Sequence, residues 1–221
     1  MRHPLIDELI RSNRRSIGLQ VSHKDGSLLV RAPRRAHIKD INAFVASKES
    51  WILKVQAKVR ERLAKNPVHE YRAGEQFLYL GEKFELVIVE AQHPPLTFNE
   101  KFYLDRRARD AGEGEVLFER WYKKQARPYL SQRLAELADK YSLRYNKFKL
   151  SGAKGRWGSC STAGNINLTW RLIKLDPEVI DYVIIHELAH LKHHNHSKAF
   201  WNEVEKMLPE YKTLRKNLRN R

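Results

Sequence analysis

Ile184-Ile185-His186-Glu187-Leu188-Ala189-His190 carries the most informative pattern in the chain. It has the form H-E-x-x-H inside an apolar run. Asp176-Pro177-Glu178 upstream is a helix start, with Asp at the N-cap and Pro in the first turn. The pattern predicts a helix over about 179–193. Residues four apart lie on one helix face, so both imidazoles can reach a single ion. Glu187 sits beside the first of them and can reach a water on that ion. A zinc ion lowers the pKa of its water to about 7, and a neighbouring carboxylate then accepts the proton. The competing reading is two surface histidines and an acid on an amphipathic helix.

A catalytic zinc takes three protein ligands and keeps one position open. His193, His194 and His196 are the candidates for the third. In a straight helix His194 would lie about 6 Å further along the axis than His190. The chain must therefore leave the helix and fold back, and Asn195 tolerates the left-handed conformation that ends helices. His196 is then the best third ligand, giving H-E-x-x-H-x₅-H. Glu203 on the following helix is its rival. His193 and His194 read as polar helix-end residues.

Upstream, Gly155–Ser161 and Asn165–Leu172 read as strands joined by a turn at Ala163-Gly164-Asn165, with Lys147–Leu150 as a third. A helical period covers about 115–141, where Pro128 is a candidate kink, and two more helices are expected at 198–207 and 210–218. Nearer the N-terminus, IGLQV and SLLVRAP flank Asp25-Gly26 as a hairpin. Apolar residues then recur at three and four from His37 to Lys65, predicting one amphipathic helix stopped by Asn66-Pro67. Phe77–Leu80, Phe84–Glu90, Leu96–Asn99 and Phe102–Leu104 suggest an antiparallel meander. The charged, glycine-containing segment Arg106–Glu115 is the expected domain boundary. The fold class is α+β: a β-rich domain over 1–110 with one long helix at 37–65, then a second domain over 111–221 that carries the H-E-x-x-H helix.

The whole chain has 221 residues, 42% of them hydrophobic, and a net charge of +16. This composition is globular, and the charge favours polyanions such as nucleic acid, nucleotides or anionic surfaces. A single cysteine, Cys160, rules out an internal disulfide framework. No apolar run approaches the roughly 18–20 residues of a membrane span. The first residues, MRHPLIDELIRSNRRS, lack the apolar core of a secretory signal. A cytoplasmic location is the expectation.

Arg156-Trp157-Gly158-Ser159-Cys160-Ser161, Gly164-Asn165-Ile166, Trp170-Arg171-Leu172-Ile173, His186-Glu187-Leu188-Ala189-His190-Leu191, Asn195-His196-Ser197 and Phe200-Trp201 together resemble the YgjP-like metal-dependent hydrolase family. These are zincin-type proteins similar to the SprT-type and WLM-type metallopeptidases. The resemblance covers nearly the whole chain; Gly155 departs from it, standing where a bulkier residue is expected. It implies a minimal zincin over the second domain, with zinc on His186, His190 and His196 and Glu187 as general base. It implies peptide-bond hydrolysis, and alternatively a nucleoside triphosphate pyrophosphatase acting on UTP with Mg²⁺ on the nucleotide. A third reading is a nucleic-acid-binding module whose metal is structural, against which the intact Glu187 argues, since a structural site needs no base. Manganese, nickel or iron would suit the same nitrogens as zinc.

Arg156, Arg171 and Asn167 are the candidate substrate contacts; the arginines can bind phosphate or an oxyanion, or form structural pairs. The strand around Asn167 can line a site and pair with an extended peptide. Trp157, Trp170, Phe200 and Trp201 read as core, and Cys160 as a small packed residue. Tyr182 and Tyr211 are weaker candidates for donating to a reacting centre than for packing. Basic clusters at Arg11, Arg14, Arg15, Arg31, Arg34 and Arg35, and in the tail 211–221, make nucleic-acid contact a further expectation, with a merely solubilising surface as the alternative.

Overall fold

The computed structural model describes residues 1–22, 25–65 and 69–219. The chain forms two compact units, Met1–His69 and Glu70–Arg221.

The first unit contains strands β1 (Glu8–Ser12), β2 (Gly18–Val21) and β3 (Leu28–Pro33), then helices α1 (Ile38–Ser47) and α2 (Glu49–Lys65). The strand order is β1-β3-β2. The expected hairpin is present, β2 pairing antiparallel with β3; His23 and Lys24 of its turn lie outside the described residues. β1, which the sequence pattern did not reveal, pairs parallel with β3. Leu28, Val30 and Ala32 alternate inward along the central strand and meet Ile41, Val45, Ile52 and Val59. The helix expected over 37–65 is two helices, broken at Lys48. One helix of that length would run roughly 40 Å, about twice the length of a six-residue strand. The break lets both segments bury apolar faces on one small sheet, and Ser47 Oγ donates to the Phe44 carbonyl there. The expected stop at Asn66-Pro67 lies outside the described residues.

In the second unit, β4 (Gln76–Tyr79), β5 (Glu82–Val89), β6 (Leu96–Asn99) and β7 (Lys101–Asp105) form a sheet in the order β4-β5-β7-β6. This is not the expected meander, because β7 lies parallel to β5. The tight β6–β7 turn pairs those strands with each other, and β7 takes the inner place because Phe102 and Leu104 are fully buried. The segment read as a boundary is α3 (Arg106–Asp110), capped by the Asp105 carboxylate accepting from Arg107 N, and it leads into α4 (Gly114–Lys140). The meander region and α3 thus belong with the later elements, and the compact units divide between His69 and Glu70 instead. α4 is continuous through Pro128 and buries Leu117, Phe118, Tyr122, Ala126, Leu130, Leu134 and Leu137.

A second sheet, β8 (Lys147–Ser151), β9 (Gly158–Cys160) and β10 (Asn165–Thr169), has β10 in the middle, parallel to β8 and antiparallel to β9. The strand expected to reach Leu172 ends at Thr169. Trp170–Lys174 is a 3₁₀ turn. Leu172 and Ile173 are both fully buried, and consecutive residues cannot both face a core from one face of a strand. Then come α5 (Pro177–Ala189), α6 (Lys198–Met207) and α7 (Tyr211–Arg219). α5 is buried around most of its circumference by Val179, Ile180, Tyr182, Val183, Ile184, Ile185, Leu188 and Ala189. Its start is held by the β4–β5 turn. Leu80 and Gly81 are both left-handed, and Leu80 N donates to the Ile173 carbonyl at 2.8 Å. A Cβ on Gly81 would come within 2.9 Å of the Asp176 Cα, so only glycine fits against the N-cap of α5. No helix among the described residues is long and apolar enough to cross a membrane.

Lys174 ends the 3₁₀ turn with its ammonium 4.3 Å from the Tyr122 ring centre and 5.6 Å from that of Trp170. Burial, reinforced by Arg171, pushes its pKa down to about 8, and Glu119 opposes the shift. Between pH 8 and the ordinary lysine value the unfolded chain binds more protons, so folded stability gains with rising pH. Across pH 8–10 the wild type should gain on Lys174→Met by up to about 1.4 kcal/mol per pH unit. Equilibrium unfolding of both proteins at stepped pH reads this difference. A flat difference would show that the folded state leaves the lysine charge undisturbed.

Candidate metal centre

His186 and His190 project from α5 one turn apart. The helix stops at Ala189, earlier than expected, with His190 at its C-cap. Lys192 N and His193 N both donate to the Ala189 carbonyl, closing the end. The expected left-handed Asn195 is not found; its Oδ1 instead accepts from Ser197 N at 3.3 Å, in a turn that precedes α6. This short loop returns His196 to α5. Ligand nitrogens of His186, His190 and His196 all lie within 4.8 Å of one another. Nε2 of His186 and Nε2 of His196 are 3.0 Å apart. Phe200, fully buried on α6, packs its ring within 4.9 Å of all three imidazole centres. Trp201 stacks on His196 and on Tyr211.

These residues fit a transition metal. The ring nitrogen Nδ1 of His190 is 2.9 Å from the His193 carbonyl. A carbonyl only accepts, so Nδ1 bears the proton and Nε2 keeps its lone pair for an ion. Burial, then His190, His196 and Arg215, pushes the pKa of His186 down to about 3, leaving it neutral as a ligand must be. Burial also lowers that of His190. Two tetrahedral zinc–nitrogen bonds would separate their nitrogens by about 3.3 Å, close to the 3.0 Å between His186 and His196. Nδ1 of His186 is buried without a hydrogen-bond partner among the described residues, so packing rather than a carbonyl orients this ring.

Glu187 is buried at 5% exposure on the same helix. Burial raises its pKa to about 8, and Arg156 works against the rise. It packs under the backbone of β9, where a Cβ on Gly158 would stand 2.6 Å from Glu187 Oε1 and 2.7 Å from Cγ. Trp157, Gly158, Tyr182, Val183 and Leu218 close a cavity of about 210 Å³ around His186 and Glu187. A second cavity of about 240 Å³ is lined by Lys149, Ser151, Arg156, Gly158, Ser159 and Asn167.

The structure therefore brings His186, Glu187, His190 and His196 together, and places Arg156 and Asn167 in the adjoining cavity. Arg171 lines neither cavity. Its guanidinium donates to the Gly152 and Ala153 carbonyls and lies 4.3 Å from the centre of Trp170. Glu203 pairs with Lys192 at 2.5 Å and is not part of the imidazole cluster. Trp170 and Phe200 are core, while Trp157 and Trp201 are partly buried at its edge. Cys160 has its pKa raised by burial and by Glu187. Tyr182 and Tyr211 are buried. Gly158 and Ser159 entered the sequence reading only as members of the Arg156–Ser161 motif, with no role given. Lys149 and Leu218 emerge only from strand register and helix packing.

Three clustered imidazoles that could hold one ion, beside a helical glutamate, have the arrangement of an H-E-x-x-H metal site. The chain belongs to the YgjP-like family, whose metallopeptidase domain matches residues 15–221. Among solved structures it is similar to the metallopeptidase zymogen abylysin of Pyrococcus abyssi, at 30% identity over 40% of this chain and 90% of that one, with a TM-score of 0.37. It is also similar to the zymogen jannalysin of Methanocaldococcus jannaschii, at 20% identity over 41% of this chain and 94% of that one, with a TM-score of 0.37. No curated protein matches the chain.

The close approach at Gly158 is testable by stability. Gly158→Ala should force Glu187 or β9 aside and destabilise the protein by about 1–3 kcal/mol. Gly155→Ala, where an added Cβ meets nothing within 4 Å, should stay within about 0.5 kcal/mol of wild type. Denaturant midpoints for the two variants distinguish contact-specific damage from a general effect of replacing glycine in this stretch of the chain.

Proposed function

We propose that the chain is a zinc-dependent peptidase with His186, His190 and His196 as the metal ligands and Glu187 as the general base. The observation that carries this is the convergence of three imidazole nitrogens beside a buried carboxylate on one helix. A divalent ion held there would polarise the scissile carbonyl and lower the pKa of the attacking water.

The chain's own groups supply the rest. The His193 carbonyl fixes the tautomer of His190. Phe200 and Trp201 hold the imidazoles by packing. Glu187 accepts the proton of the attacking water at a carboxylate oxygen and hands it to the leaving amine nitrogen. Burial in a low-dielectric setting raises its affinity for that proton, which favours its uptake from water. Arg156 and Asn167, in the adjoining cavity, are proposed to contact the substrate. Arg171, proposed from sequence for the same task, is positioned to hold the Gly152–Ala153 backbone. The family match supports peptides and gives no support to a nucleotide pyrophosphatase or a nucleic-acid-binding module.

The test is cleavage of a casein-like protein and of a mixed peptide library with and without chelator. Cleavage should stop on chelation and return with Zn²⁺. Glu187→Gln should retain metal and lose turnover by about 10²–10⁴-fold. His196→Ala should lose metal as read by elemental analysis. Chelator-sensitive diphosphate release from nucleoside triphosphates, with no peptide cleaved, would overturn the peptidase reading. Undiminished turnover in Glu187→Gln would remove the assigned base.

A further inference from the structure

The two cavities meet at Gly158, which lines both. One holds His186 and Glu187. The other is built on the outer face of the β8-β10-β9 sheet, and its floor is a row across three strands. Asn167 on the central strand is in register with Lys149 on one side and Ser159 on the other. Side chains alternate along a strand, so while Ile166 and Leu168 enter the core, this row faces away from it. Asn167 Nδ2 donates to Ser159 Oγ at 3.3 Å, tying two members of the row together. Ser151 and Arg156 complete the lining.

The chemistry of this cavity is one-sided. It contains two cations, two hydroxyls and an amide, and no carboxylate. Among the described residues neither Lys149 nor Arg156 has an acidic side chain within ion-pair distance, although many other cations here are paired. Arg156 is also close enough for its charge to act on Glu187. Leu218 of α7 also lines the cavity of His186 and Glu187, and that helix carries Lys212, Arg215, Lys216 and Arg219. Because the two cavities share Gly158, an extended chain bound across Glu187 can reach a neighbouring pocket furnished with donors and positive charge. Hydroxyl, amide and guanidinium donors around an ammonium form a receptor for a carboxylate.

We propose that the cavity of Lys149, Ser151, Arg156, Ser159 and Asn167 is a specificity subsite that selects an acidic side chain close to the scissile bond of a peptide substrate. The proposal rests on the peptidase reading for the reaction but not for the binding. Both cations are exposed, so charge reversal can be tested without disturbing the core.

The experiment has two arms. In the first, wild type cleaves a peptide set that differs only in Glu, Gln or Lys at each position flanking the cleaved bond. The expected result is about a tenfold higher kcat/KM for Glu over Gln at one position, with Lys poorest. In Lys149→Glu and Arg156→Glu that ratio should fall to about one or below, with Lys now tolerated. Lys124→Glu, on α4, which lines neither cavity, applies the same charge change elsewhere and should preserve the ratio. Because each ratio is taken within one variant, changes in overall turnover do not enter it. In the second arm, zinc-loaded Glu187→Gln binds the fluorescein-labelled Glu and Gln peptides, read by anisotropy. The Glu peptide should bind more tightly, and Lys149→Glu in that background should abolish the difference. No preference in either arm, a preference unmoved by Lys149→Glu, or an equal loss in Lys124→Glu would overturn the subsite. Lys149-dependent binding of a nucleoside triphosphate without binding of the Glu peptide would overturn it too. Acid-selective, Lys149-dependent binding in the second arm with no peptide cleaved in the first would sustain the subsite and overturn the peptidase reading instead.

Discussion

A carboxylate buried in the middle of an apolar helix is the constraint around which the second unit is built. Glu187 shares α5 with eight buried apolar or aromatic residues and is nearly as inaccessible as they are. Taking an ionised carboxylate out of water without a partner is expensive, so burial alone keeps its proton on near neutrality. The same burial strips the proton from His186. Both groups are thus driven toward their uncharged forms by one cause acting with opposite sign on an acid and a base. A divalent cation on the imidazole nitrogens would change that balance, because its charge would favour the carboxylate while neutral histidine is already the ligating form. The dry setting and the proposed three-nitrogen ligand set therefore suit one another.

Backbone has to make room for that arrangement. Glu187 can lie under β9 only because residue 158 has no side chain. The helix must also end soon after His190, since a continuing helix would carry the next histidines away along its axis. The closing turn performs two tasks. It frees the chain to bring His196 back, and it places the His193 carbonyl against Nδ1 of His190. His193 thus acts through its backbone, which its side-chain chemistry would not suggest. At the other end, the left-handed Leu80-Gly81 turn between β4 and β5 presses on Asp176, so the start of α5 is fixed by packing from a distant part of the sequence.

What was legible in the sequence follows from the range of the interactions involved. His186, Glu187 and His190 are neighbours on one turn of helix, and His196 is six residues on; their relation is local and spacing reveals it. The hairpin after Val21, the long α4 and the Ser197-led α6 are also local, set by turn residues, period and caps. The break at Lys48 was not legible, because the apolar period runs on through it and the reason to stop is the small size of the sheet beneath. The parallel pairing of β5 with β7 was hidden for a similar reason: sequence order suggests hairpins, whereas burial of Phe102 and Leu104 decides which strand takes the inner place. The charged, glycine-containing segment at 106–115 looked like a linker, yet its polarity belongs to a capped helix and a turn inside the second unit.

The adjoining cavity shows the same limit more sharply. Arg156 and Asn167 stood out as polar residues near a recognisable motif, but Lys149 did not, being one of many lysines in a chain of net charge +16. Only the register that sets Lys149 and Ser159 on either side of Asn167 turns scattered polar residues into a surface. Overall charge does not carry that information. It raises the concentration of any anion near the protein and is screened by salt within about 10 Å. Two cations with no acidic side chain in ion-pair distance among the described residues, set in a concave pocket next to the proposed base, would act at contact distance instead, where hydrogen-bond geometry can tell a carboxylate from an amide of the same size. Composition therefore favours anions in general, while strand register decides where the polar and cationic side chains gather into a pocket.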